Sequence, residues 1–234
     1  MRGFADYPLS AARAGQAIDV SMTAESGRKT LSGKAELAAI FAGGAGRRMG
    51  GTDKGAIVLG GKPLFRIVAE RLAPQAEKLA VLAPGEPPWL EEIPAARWIR
   101  DAAGKEGPGA GLLGALQFLE KEHGPDALLL AAPVDAPFLP VDLFEKLDAA
   151  RRQADAPAAI VRHSGGLHPV FGVWRASCAG IVEQAMEQER ALHRIALKAG
   201  AVECEAWTGA VPDPFTNLNS PEDVAAAETF LRKL

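Results

Sequence analysis

The chain has 234 residues, 48% of them apolar and 24% charged, which is the size and balance of one globular domain with an ordinary core. Its formal charge of −3, from 26 basic and 29 acidic side chains, argues against general nucleic-acid binding, which needs a basic face. Two cysteines, Cys178 and Cys204, exclude a disulfide framework and a cysteine-rich zinc site, and the longest apolar run, 127–134, falls far short of the roughly 20 residues of a membrane helix.

Residues 1–35 carry scattered charge without a sustained period and are expected to form a loosely ordered tail. They hold no secretory apolar region, so the chain is expected in the cytoplasm. From Glu36 onward short apolar runs alternate with helical periods. That pattern predicts an α/β fold: a three-layer, mostly parallel, doubly wound sheet spanning residues 36–234 as one domain. The first strand is expected at 37–41. A helix should follow Pro63, since Leu64, Ile67, Val68 and Leu72 share one face at 3.6-residue spacing. Strands are predicted at 78–83 and 97–100, then a helix burying Leu112, Leu113, Leu116 and Leu119. The continuous apolar run 127–132 reads as a central strand covered on both faces. Leu143, Phe144 and Leu147 mark the next helix, 158–161 a strand, and 168–174 and 202–207 two more strands around a helical region. The last helix begins at Ser220-Pro221-Glu222-Asp223, a cap, a proline at the first helical position, and two acids suited to a helix N-terminus.

The segment most informative for chemistry follows the first strand: Phe41-Ala42-Gly43-Gly44-Ala45-Gly46-Arg47-Arg48-Met49-Gly50-Gly51-Thr52-Asp53-Lys54. Glycines after a strand let the backbone turn tightly and bring its N–H groups to phosphate oxygens. The P-loop pattern fails because Thr52, not Lys, follows Gly51, and the dinucleotide pattern fails because Met49 stands at its third glycine. What remains is a phosphate cradle with added cations. Arg47 and Arg48 offer planar forks and Lys54 a point charge, enough to meet a triphosphate from several directions. The plainer alternative is a glycine-rich turn with solvated basic residues.

Ala42-Gly43-Gly44, Arg48-Met49-Gly50 and Asp53-Lys54 resemble the signature loop of the molybdenum cofactor guanylyltransferases. The likeness continues in order through Gly61-Lys62-Pro63-Leu64, Gly107-Pro108-Gly109-Ala110-Gly111, 134–140, His168-Pro169-Val170-Phe171 and 215–223. It implies transfer of GMP from GTP to molybdopterin or Mo-molybdopterin with release of pyrophosphate, and Mg²⁺ as the ion. It also implies proteins that insert molybdenum and chaperones of molybdoenzymes as partners.

By that resemblance Phe41, Ala42, Gly43, Gly44, Arg47, Arg48, Gly50, Lys54, Leu82, Asp101 and Asp135 meet the nucleotide. Lys54, Arg48 and Asp135 carry the catalysis, and Asp135 binds the metal. Asp135 is also where ligands bind in open α/β sheets, just past a central strand, although a turn or helix cap is the ordinary use of such an Asp. Asp101 closes a strand in the same way, with a loop cap as its plainer use. Asn217, Asn219 and His168 are candidates for the pterin substrate; the asparagines alternate along an extended segment, and an Asx turn or a satisfied structural histidine are the competing readings. Two departures stand out: Phe41 where Leu is usual, and Leu82 where Asn is frequent. Leucine cannot hydrogen-bond a base. Cytidylyltransferases of molybdopterin and related small nucleotidyltransferases remain an alternative, though relatives using CTP more often show Ala-Ala-Gly at 42–44. A non-catalytic nucleotide-binding regulator is the alternative of another class.

Overall fold

The computed structural model describes residues 33–43 and 53–233. The expected tail over most of 1–35, together with Gly44, Arg47, Arg48 and Gly50, lies outside the described residues.

Strand β1 (Ala35–Phe41) places Ala38 and Ile40 in one apolar core and Leu37, Ala39 and Phe41 in another. Side chains alternate across a strand, so the run 37–41, apolar at every position, must be covered on both faces. The remaining strands are β2 (Val58–Leu59), β3 (Lys62–Pro63), β4 (Ala76–Ala83), β5 (Arg97–Arg100), β6 (Leu128–Pro133), β7 (Ala158–His163), β8 (Gly166–Arg175) and β9 (Ala201–Cys204). Seven form one sheet in the order β5-β4-β1-β6-β8-β7-β9. Helices α1 (Leu64–Leu72) and α3 (Leu143–Gln153) bury Phe65, Val68, Leu72 and Leu147 on one face. On the other lie α2 (Pro108–His123), α4 (Ala179–Met186) and α5 (Leu192–Lys198), with Leu112, Leu116, Val182 and Ile195. The three-layer, doubly wound arrangement is the one its apolar pattern predicts.

The sheet is parallel except at β8, which runs antiparallel to both β6 and β7. Its direction follows from the link to β7. Only Ser164 and Gly165 connect them, both at positive φ, 49° and 76°, and a two-residue turn permits only a hairpin. Strand β6 runs one residue later than the expected 127–132, and β9 stops at Cys204 instead of reaching Trp207. The indole of Trp207 turns inward and donates to Asp142 at 2.9 Å. The hairpin β2–β3 was not expected; Gly60 and Gly61, both at positive φ, make its turn. It packs with α1, α6 (Pro221–Leu231) and Phe138 in a third apolar cluster. Cys178 and Cys204 are both buried, and burial pushes the Cys178 thiol up to about 11. No helix among the described residues is long and apolar enough to cross a membrane.

Candidate active site

From β1 the chain builds outward to β4 and β5, then crosses back through α2 to β6 on the other side of β1. The carboxyl ends of β1 and β6 therefore face the crevice where open α/β sheets bind ligands. Two ladder-end hydrogen bonds fix the geometry there: Ala42 N–H donates to the Leu82 carbonyl at 2.9 Å, and Val134 N–H to the Phe41 carbonyl at 3.0 Å. Between them lies the start of the glycine-rich segment, with different chemistry on each side.

On the β4–β5 side a cavity of about 510 Å³ is lined by Phe41, Gly43, Leu82, Pro84, Asp101 and Gly111, among others. Gly111 sits where α2 passes the Phe41 ring and the Asp101 carboxylate. A Cβ there would come within 3.3 Å of both Asp101 Oδ1 and Phe41 Cε1, so the small residue keeps that corner open. The Leu82 side chain is buried in the wall and offers no polar atom. Asp101 is half-buried, and loss of hydration raises its carboxyl above the ordinary range.

That direction has a measurable consequence. The folded chain retains the Asp101 proton to higher pH than the unfolded chain, so the stability linked to this group is full below the ordinary value of 3.8 and lost as pH rises through the raised one. Asp101→Asn is expected to raise the thermal midpoint at pH 7 by up to about 2 °C, a small gain because the group is half exposed. The gain should vanish near pH 3, while nucleotide affinity falls. A variant with an unchanged midpoint and undiminished nucleotide affinity at pH 7 would contradict this.

On the β6 side, Asp135 follows the strand and is 6% exposed. Lys54 Nζ reaches it at 2.7 Å and also donates to Asn219 Oδ1 at 2.6 Å. Three segments far apart in sequence thus meet at one ammonium. Leu218 N–H donates to the Asp135 backbone carbonyl at 2.8 Å, docking the C-terminal segment on the same strand end. A reciprocal capping box between Ser220 and Asp223 starts α6, and Asp223 also accepts from the Asn219 N–H at 2.8 Å. The Asn217 side-chain oxygen is buried with no hydrogen-bond partner among the described residues.

The structure brings Lys54, Asp135 and Asn219 together and places Phe41, Gly43, Leu82 and Asp101 on the cavity. His168 lies apart from that triad in its contacts. Its ring packs on Phe215 at 5.7 Å and Phe171 at 6.2 Å, and burial lowers its pKa despite the nearby Asp213 carboxylate. His163, the more buried of the two, sits 3.4 Å from Asp213. Trp89, buried between β4 and β5, does more than pack: its indole N–H donates to Asp53 at 2.6 Å. No spacing rule links positions 53 and 89; only the fold does.

The model of the MobA-like NTP transferase domain matches residues 38–202. A protein named molybdenum cofactor guanylyltransferase from Cereibacter sphaeroides is 40% identical over 197 residues, covering 83% of this chain and 96% of that relative. One of the same name from Rhodopseudomonas palustris strain HaA2 is 35% identical, covering 86% and 95%. The crystal structure of molybdopterin-guanine dinucleotide biosynthesis protein A from Archaeoglobus fulgidus superposes with a TM-score of 0.68 at 25% identity, covering 85% of this chain and all of that one. A 4-diphosphocytidyl-2C-methyl-D-erythritol synthase from Anaerococcus prevotii shares the fold at a TM-score of 0.60 and 15% identity, covering 86% and 97%. With the sheet, the crevice and matches of this extent in agreement, the chain belongs to the MobA-like NTP transferase family of nucleotidyltransferases.

Proposed function

We propose that this nucleotidyltransferase moves GMP from GTP onto the phosphate of molybdopterin, with residues 36–234 as its one catalytic domain. An oxygen of the acceptor phosphate attacks the α-phosphorus, a new P–O bond forms, the bond to the β-phosphate breaks, and pyrophosphate leaves. The product is the guanine dinucleotide form of the molybdenum cofactor. The observation carrying this reading is the meeting of Lys54, Asp135 and Asn219 at the carboxyl end of β6, in a chain so similar to named guanylyltransferases.

Transfer of this kind depends on positioning and charge stabilisation rather than on a covalent nucleophile. The cavity lined by Phe41, Gly43, Leu82 and Asp101 takes the guanosine, with Ala42 at the turn into the triphosphate. Lys54 stabilises charge on the transferring group and the departing pyrophosphate. Gly44, Arg47, Arg48 and Gly50 complete the phosphate cradle on the strength of the sequence motif. Asn217, Asn219 and His168 serve the pterin side, where Asn219 already lies within reach of Lys54.

Among the described residues no group of three or more His, Cys, Asp or Glu side chains gathers to hold a metal alone. Mg²⁺ needs no such group, because it binds one or two carboxylates plus substrate phosphates and water. The Asp135 carboxylate and the Asn219 amide oxygen, hard donors already gathered about one ammonium, fit that requirement, and Asp135 is the residue that would hold the ion. When bound, Mg²⁺ neutralises charge on the α-phosphate. We assign the reaction to the cytoplasm, with molybdenum-insertion proteins and molybdoenzyme chaperones as proposed partners.

Pyrophosphate release with Mg²⁺ and molybdopterin, compared among GTP, CTP and ATP, tests the reading. Release at least about tenfold faster with GTP is the expected result. A preference for CTP would move the chain to cytidylyl transfer. Nucleotide binding with no turnover would replace an enzyme by a regulator.

A further inference from the structure

We propose that Trp89 is a positioning residue for the transfer, holding the backbone on both sides of Lys54. The inference rests on the reaction proposed above for Lys54. Trp89 lies between β4 and β5 and is 4% exposed. One face of its ring stacks on Phe65 of α1, centroids 4.7 Å apart and planes within 3°. The ring is therefore fixed from the core before it meets the phosphate-side segment.

Two contacts then reach that segment, one on each side of Lys54. The indole N–H donates to Asp53 Oδ2 at 2.6 Å, while Asp53 Oδ1 accepts from the Gly55 N–H at 2.9 Å and caps the short helical turn Lys54–Ala56. Gly55 itself lies flat against the indole. A Cβ there would come within 2.6 Å of Cζ2 and 2.8 Å of Cε2, so only glycine allows the approach. The residues before and after Lys54 thus bear on one rigid ring, and the backbone between them has little freedom. Lys54 needs such support. Its side chain is long and rotamer-rich, the glycine-rich segment just before it supplies no β-carbon packing at several positions, and its ammonium must meet developing charge within a fraction of an ångström. Misplacement by about 1 Å can cost about a hundredfold in rate.

Trp89→Phe keeps an aromatic ring against Phe65 and removes both the N–H donor to Asp53 and the indole edge that Gly55 lies against. It is expected to lower kcat about tenfold to a hundredfold, with the KM for GTP changed less than about threefold because the guanosine cavity is untouched. The thermal midpoint should move by only a few degrees. A structural role alone would not move the next readout: in a Lys54→Met background, Trp89→Phe is expected to cause no further loss, since the residue it positions is gone. Gly55→Ala, pressing the ring from the other side, should reproduce the kcat loss.

Trp89→Phe with kcat within twofold of the wild type, or with its full loss retained in the Lys54→Met background, would overturn the proposal. A readout independent of turnover separates it from the assigned reaction. The ¹⁵N-bound indole proton of Trp89, identified by its disappearance in Trp89→Phe, should shift when Asp53→Ala removes its acceptor. If the wild type turns over no nucleotide the reaction falls and this signal decides the clamp; an unshifted signal overturns the clamp whatever the reaction.

Discussion

Asp135→Asn is expected to reduce pyrophosphate release by about 10²–10³-fold while leaving the chain folded. The substitution keeps the shape of the side chain and removes its charge, so it tests electrostatics and not packing. The carboxylate is the charged partner of Lys54 at 2.7 Å, in a pair whose side chains are 23% and 9% exposed. Lys54 retains Asn219 as a partner and partial access to water, so no buried cation is stranded and stability should change little. What disappears is the anionic oxygen that orients the ammonium and would hold a cation at the reacting phosphate. Initial-rate pyrophosphate release, with circular dichroism on the same sample, checks both halves. Retention of more than a tenth of wild-type activity would remove Asp135 from the chemistry.

Asp148→Ala is expected to destabilise the fold by about 3–5 kcal/mol without touching the site. Asp148 and Arg151 are one helical turn apart on α3, 5% and 2% exposed, with the guanidinium at 2.6 Å from the carboxylate. Arg151 also donates to the Ala156 carbonyl at 3.4 Å, so removal of Asp148 leaves the cation buried with one long hydrogen bond. Breaking one member of a buried pair costs more than the pair contributes, because the survivor has lost water as well. A fall in thermal midpoint on the order of 10 °C should follow, with kcat per folded molecule unchanged. A midpoint within about 2 °C of the wild type would show that Arg151 finds another partner.

The two sites were unequally legible in the sequence. Asp135 stood out because it follows an apolar strand, the position where doubly wound sheets put chemistry, and Lys54 because it is a cation closing a glycine-rich segment. Asp101 was legible for the same reason at the end of β5. The sheet itself could be read from runs apolar at every position, which only burial on both faces explains. The antiparallel direction of β8 was not read, although Ser164-Gly165 between two strand-forming runs carried the signal. Local pattern gives where strands lie; the length of the connection gives their sense. The partnership of Trp89 with Asp53, and of Lys54 with Asn219, had no signal at all in one dimension. These contacts join residues 36 and 165 positions apart, and exist only because α1 carries Phe65 beneath Trp89 and Leu218 docks on the Asp135 carbonyl.

Leu82 shows how structure sharpens a departure seen in sequence. Its side chain is buried in the cavity wall, so under the proposed function Asp101 and backbone groups are left to recognise the base there. A guanine base presents adjacent N–H donors that an ionised carboxylate can accept, whereas cytosine presents a different edge. Selectivity for GTP over CTP should therefore narrow in Asp101→Asn, alongside the loss of affinity described above.

The central claim is transfer of the nucleotide's α-phosphate to a pterin phosphate, and label transfer measures it directly. GTP labelled at the α-phosphate is incubated with the chain, Mg²⁺ and molybdopterin, and the products are separated. The label should appear in a molybdopterin guanine dinucleotide, in step with unlabelled pyrophosphate. Label recovered only as GMP or unreacted GTP, with no labelled pterin product, would contradict the account.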